Sequence, residues 1–220
     1  MDKRLITVGL VILGVAILIK TAVVLLSHVK IDEFHKTAIT FIVDSSASNQ
    51  QKLPKQIRYI KSLCSILDPE DAIKIIKTDK SAYLIYEGSP GDGVAISNAL
   101  KKYTQNGTDE NSYGEAIKKA VNYSLTMKKN GYNTAIVVVG GLESKGEASK
   151  QINWETLPKN IEKTKEFLPE VAMMFVFANP EKLDYVKTKL NPILGENKLI
   201  TVNEVNLEKS NARFIKAIGR

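Results

Sequence analysis

The sequence predicts an α/β architecture: a doubly wound, mostly parallel sheet of about six strands with helices on both faces. Three observations lead there. From residue 37 onward, short apolar runs alternate with segments whose apolar residues recur at helical spacing. The runs TAITFIVD, NTAIVVV and VAMMFVFAN are continuously apolar, as strands buried on both faces are. Between residues 71 and 88, two strand-like runs follow each other across a tight turn, which reads as an antiparallel hairpin at one edge.

Taken in order, TAITFIVD (37–44) is the first strand. LPKQIRYIKSLCSIL (53–67) places Ile57, Ile60, Leu63, Cys64 and Leu67 on one helical face, with Pro54 suited to the first turn. Cys64, the only cysteine, is expected in the core and allows no intrachain disulfide. DAIKIIKTD (71–79) and SAYLIYEG (81–88) form the hairpin, and Gly88, Pro90, Gly91 and Gly93 break the chain before a helix over 94–103. A helix over 113–128 precedes the strand NTAIVVV (133–139), and a polar loop over 140–153 leads to a helix near 156–167. Trp154 is expected as a packing anchor. VAMMFVFAN (171–179) is the next strand, Pro180 opens a helix to 190, KLITV (198–202) is the last strand and LEKSNARFIKAI (207–218) the last helix. A hairpin after the first helix, followed by right-handed crossovers, gives the strand order 3-2-1-4-5-6 with one antiparallel edge.

The start of the chain does not fit that domain. After a four-residue tail, residues 5–26 are apolar except for Thr7, Lys20 and Thr21, about the length that spans a bilayer as a helix. Lys20 is the one costly residue, roughly 2.5–3.5 kcal/mol at mid-bilayer, but it lies past the centre and its stem can carry the ammonium toward the interface. The expectation is a signal anchor over 5–26, a linker over 27–36 and a domain over 37–220. Lys3 and Arg4 favour a cytoplasmic N-terminus and an extracytoplasmic domain, against the pull of Lys30 and Lys36. His28 and His35 flank the apolar segment without a metal-ligand constellation. The net charge of +7 is dispersed, with no basic run interleaved with aromatics, so no nucleic-acid partner is expected.

The chemistry concentrates in FIVDSSASNQ (41–50). In an open parallel sheet, ligands bind beyond the carboxyl ends of the strands, and Asp44 ends the first strand. A carboxylate followed by hydroxyls at Ser46 and Ser48 offers hard oxygen donors suited to Mg²⁺. Ser and Asp also cap helices, so this stretch alone leaves both readings open. The wider pattern resembles the von Willebrand factor A domain over residues 37–218, in which D-x-S-x-S ends the first strand. QNGTDENSYGEAIKKAV (105–121) resembles that family's G-T segment, and the resemblance implies Thr108 as a further ligand of a metal-ion-dependent adhesion site. Where the family carries T-D-G after the fourth strand, this chain reads VVVGGLES, with Gly140 and Gly141 at the two candidate positions of the aspartate. Glu143 is near enough to reach in, or is a surface residue of a glycine-containing loop; Asp109 and Glu110, beside Thr108, carry the same ambiguity. Asp44 is expected as an exposed loop carboxylate.

The function these residues imply is a membrane-anchored protein-binding module, not an enzyme, whose partial Mg²⁺ site engages an acidic side chain of a partner. Two alternatives stay open: a degenerate scaffold without metal that acts in assembly of a membrane complex, and a Mg²⁺-dependent phosphoryl-transfer enzyme. The last lacks the aspartate two residues after Asp44 that such enzymes use as general acid, since Ser46 stands there. No phosphate loop of the G-x-x-x-x-G-K-[ST] form is present. Asn106 and Asn122 open N-glycosylation triplets of a kind that arises often by chance.

Overall fold

The computed structural model describes residues 36–103, 107–202 and 207–219, all within the unit His35–Arg220. The expected anchor over 5–26, the linker, His28, His35 and Asn106 lie outside the described residues. Among the described residues, no helix is long and apolar enough to cross a membrane.

The strands are β1 (Thr37–Asp44), β2 (Ala72–Thr78), β3 (Ala82–Gly88), β4 (Asn133–Val139), β5 (Ala172–Val176) and β6 (Leu199–Val202). The helices are α1 (Leu53–Cys64), α2 (Gly93–Tyr103), α3 (Tyr113–Lys129), α4 (Leu157–Phe167), α5 (Pro180–Leu194) and α6 (Leu207–Ala217). The sheet order is β3-β2-β1-β4-β5-β6, and every pairing is parallel except that of β2 with β3. This is the order the hairpin and the crossover rule predict.

Strand side chains alternate between two cores, as a period of two requires. Ile39, Phe41 and Val43 of β1 join Ala135, Val137 and Val139 of β4 in one, covered by α1, α2 and α6 through Ile60, Leu63, Ile96, Leu100 and Phe214. Ile42, Ile136 and Val138 face the other, covered by α3, α4 and α5 through Ala116, Ile117, Leu157, Ile161, Val186 and Leu190. Every residue of β1 is buried, which explains its continuous apolar run. Cys64 is buried as expected, and burial pushes its thiol pKa up to about 12.

Three boundaries differ from expectation. α1 ends at Cys64 and is preceded by a 3-10 turn over Ala47–Lys52, so Asp44 does not feed directly into an α-helix. β5 stops at Val176 because Phe177 takes a left-handed backbone, φ 62°, that no strand accommodates. α5 runs past Pro192 to Leu194. Pro192 falls in the last turn, Leu190 and Leu194 are buried one turn apart, and Gly195 ends the helix at φ 85°.

Candidate metal centre

The carboxyl ends of β1, β2 and β4 meet at one place because β1 lies between the other two. Asp44 is in register with Thr78 of β2, and Val43 with Val139 of β4. Thus Asp79 and Gly140, each one residue further along, flank the loop that begins at Ser45.

Asp44 is 2% exposed, which corrects the expectation of an exposed loop carboxylate. Its Oδ1 accepts the Ser46 N–H at 2.9 Å, and the Tyr113 hydroxyl also bonds to it. Tyr113 in turn accepts the Leu142 N–H at 3.4 Å. Burial raises the Asp44 pKa above its ordinary value of 3.8; the bonds from Ser46 and Tyr113 oppose this, and the charge of Glu143 adds to it. The loop after Asp44 is tied down: the Asn49 side chain donates to the Asp44 carbonyl at 2.8 Å, and the Ser45 hydroxyl donates to the Thr78 carbonyl at 3.0 Å.

The hydroxyls of Ser46 and Ser48 lie 3.2 Å apart, and Ser48 Oγ donates to Glu143 Oε2 at 3.4 Å. Glu143 therefore reaches into the site from the loop after β4. Asn179 Nδ2 donates to its Oε1 at 3.4 Å, and Lys145 pairs with its Oε2 at 3.2 Å. Those two contacts hold its pKa below the ordinary value of 4.5. Its backbone is fixed as well, because the buried Asn111 side chain donates to the Glu143 carbonyl at 2.6 Å.

Thr108 lies against the same loop, its carbonyl accepting the Ala47 N–H at 2.8 Å. Gly107 permits this approach, since a Cβ there would fall 2.0 Å from the Ser45 carbonyl oxygen. The Thr108 hydroxyl, however, donates to Asp79 Oδ1. Asp109, the next residue, is exposed.

The two glycines after β4 are not equivalent. Gly140 has φ 146°, and a Cβ on it would meet the Tyr113 hydroxyl at 2.1 Å and Asp44 Cβ at 2.4 Å. Gly141 has ordinary space: its nearest neighbours would be Asn179 Oδ1 at 3.5 Å and Glu143 Oε1 at 3.7 Å. The position that can carry an aspartate is thus Gly141, and a substitution at Gly140 is excluded as a way to restore one. Leu142, the next residue, is buried with φ 61°, an uncommon conformation for a branched side chain, costing about 1–2 kcal/mol.

Two carboxylates and two hydroxyls form an all-oxygen donor set, the chemistry Mg²⁺ prefers. Among the described residues, no group of three or more His, Cys, Asp or Glu is placed to hold a metal, so a cation here depends on the serines. Sequence reasoning missed Tyr113, Asn179 and Asp79. Asp79 had a signal: like Asp44, it is an aspartate at the carboxyl end of a strand next to the centre of the sheet.

Residues 39–143 match the family model of the von Willebrand factor type A domain. No curated protein matches the sequence. Among solved structures, proximal thread matrix protein 1 from the mussel byssus is similar with a TM-score of 0.56 and 14% identity, over 83% of this chain and 48% of that one. This chain therefore spans about half of that protein. BatB from Bacteroides thetaiotaomicron is similar with a TM-score of 0.56 and 15% identity, over 82% of this chain and 98% of that one. An aerotolerance-related membrane protein from Bacteroides fragilis gives a TM-score of 0.54 and 16% identity, over 82% and 99%. At these identities the likeness is one of fold: a von Willebrand factor A-like sheet flanked by helices.

Proposed function

We propose that this von Willebrand factor A-like domain is a protein-binding module, held at a membrane by residues 5–26, whose contact point is a Mg²⁺ site at the carboxyl end of β1. One observation carries the reading: the Ser46, Ser48 and Glu143 oxygens form a chain of contacts beside the buried carboxylate of Asp44. Asp44, Ser46, Ser48, Glu143 and the Thr108 hydroxyl oxygen would hold the cation. The cation would supply positive charge that an acidic side chain of a partner can approach. Glu143 stands in for the carboxylate that Gly141 lacks, but Lys145 already pairs with it, so the cation keeps charge for the partner to satisfy. The match covers almost the whole of the solved chains of BatB and of an aerotolerance-related membrane protein, and the second of these fits the membrane association proposed here.

A second reading, a metal-free scaffold, is favoured by one contact: the Lys145 ammonium pairs with Glu143 Oε2 at 3.2 Å, so a side-chain cation already meets the carboxylate nearest the serines. Phosphoryl transfer has less support, since Ser46 occupies the general-acid position and its N–H is spent on Asp44. Calorimetric titration of the full chain with MgCl₂ or MnCl₂ separates the first two. Binding that disappears in Asp44→Asn supports the module. Absence of binding by the unaltered chain, with an acidic peptide present or absent, leaves the scaffold.

A further inference from the structure

Thr108 is an exposed residue on a loop, and an exposed threonine hydroxyl ordinarily rotates and bonds to water. Here it donates to a neighbouring carboxylate. Asp79 Oδ1 accepts both the N–H of Thr108, at 3.2 Å, and its hydroxyl. The carboxylate is itself anchored: the Lys80 N–H donates to Oδ1 at 2.9 Å, Lys77 Nζ pairs with Oδ2 at 3.2 Å, and the Asp79 N–H donates to the Ser81 carbonyl at 3.2 Å. Asp79 is 8% exposed. A fixed carboxylate thus holds one threonine at two points.

A hydroxyl that ligates a cation must present lone pairs and send its proton elsewhere. A carboxylate that accepts the hydroxyl's hydrogen bond fixes the rotamer and makes the hydroxyl oxygen a better donor to a cation, the way outer partners orient metal ligands. Resting on the cation-site reading above, we propose that Asp79 is a positioning residue for Thr108: it accepts the hydroxyl's hydrogen bond and leaves one lone pair of the oxygen, the other accepting the Glu110 N–H at 3.4 Å, for a divalent cation at the Asp44 loop. The pairing of Asp44 with Thr78 places Asp79 beside that loop, and the Ala47 to Thr108 bond joins the two segments it connects.

The test is a double-mutant cycle on Mg²⁺ affinity in the full chain, measured by calorimetry. Asp79→Ala and Thr108→Val are each expected to weaken binding roughly 10–100-fold, and the double variant to be no weaker than either. Thr108→Val keeps the N–H bond to Asp79, so a role limited to tethering the loop predicts that Asp79→Ala costs as much again in that background, which overturns the proposal. Unchanged affinity in Asp79→Ala, or tighter binding because Asp79 had competed for the hydroxyl, also overturns it. Three-bond NMR couplings of Thr108 without metal are expected to show one rotamer in the unaltered chain and averaging in Asp79→Ala; a single rotamer in both counts against the proposal. Should Asp79→Ala not fold, Asp79→Asn, which keeps the acceptor oxygen, is expected to preserve the rotamer and to weaken Mg²⁺ less than Thr108→Val does; a loss as large as that of Thr108→Val overturns the proposal. If the unaltered chain binds no Mg²⁺, the cation-site reading fails and this role falls with it, whereas Mg²⁺ binding that is indifferent to Asp79 sinks the role alone.

Discussion

Asp44 gives a sharp prediction because it is both buried and charged. Its pKa is raised in the fold, chiefly by burial, so the folded chain holds the proton more tightly than the unfolded one. The stability linked to it is present below the ordinary value of 3.8 and is lost as pH rises through the folded pKa. Asp44→Asn, which keeps the acceptor for Ser46 and Tyr113 but not the charge, should therefore gain stability relative to the unaltered metal-free chain as pH rises from about 4 to 7, read from urea midpoints. Parallel midpoints for the two chains across that range would count against a strained carboxylate. Asp44→Ala, which orphans two buried donors, should be less stable than Asp44→Asn by about 1–3 kcal/mol. The β4 loop gives a second prediction. Gly141→Asp should leave the denaturation midpoint nearly unchanged and tighten Mg²⁺. Gly140→Asp should destabilise by about 1–3 kcal/mol or more through overpacking against Tyr113 and Asp44. The first half of the site was legible because a carboxylate and two hydroxyls at fixed short spacing lie on one loop. Asn179 was not, since its role depends on which strand ends the sheet brings together.

Most elements could be read from periodicity, because β1 and β4 are buried on both faces and the helices on one. The end of β5 could not. Phe177 is apolar and aromatic, a good strand residue by composition, yet its ring packs edge-on to Tyr59 at 5.8 Å with Lys55 over it at 5.6 Å, contacts that join it to α1. The helix expected to end at 190 runs on to Leu194, because Pro192 is tolerated in the last turn and the burial of Leu190 and Leu194 prevails. Glu115 shows how elements are stitched together. In the first turn of α3, it accepts the Ala82 N–H at the start of β3 at 3.0 Å and pairs with Lys119 at 2.8 Å. Burial acts to raise its pKa, but the bonds from Lys119 and Ala82 prevail and lower it from 4.5. Its contribution is present above 4.5 and lost as pH falls through the depressed folded value. Glu115→Gln should thus be less stable than the unaltered chain at pH 7, by no more than about 1 kcal/mol for so exposed a pair, and the gap in urea midpoints should close toward pH 3. A gap that persists in acid would assign the contribution to packing instead.

For the molecule as a whole, the anchor proposed for residues 5–26 and the orientation drawn from Lys3 and Arg4 predict that protease added outside intact cells digests the domain. Protection until the membrane is opened would reverse the orientation. The sheet order carries a consequence for synthesis. Thr37 of β1 pairs with Asn133 of β4, so the central strand has a partner on one side only until more than half the chain has emerged. A nascent or truncated chain that stops short of residue 133 can close the β2–β3 hairpin and dock β2 on β1. It leaves a strand of eight residues, all buried in the complete fold, with one open row of backbone donors and acceptors, a template for pairing between copies. Such fragments are expected to aggregate during biosynthesis, and slow, long-range pairing of β1 with β4 to set the folding rate.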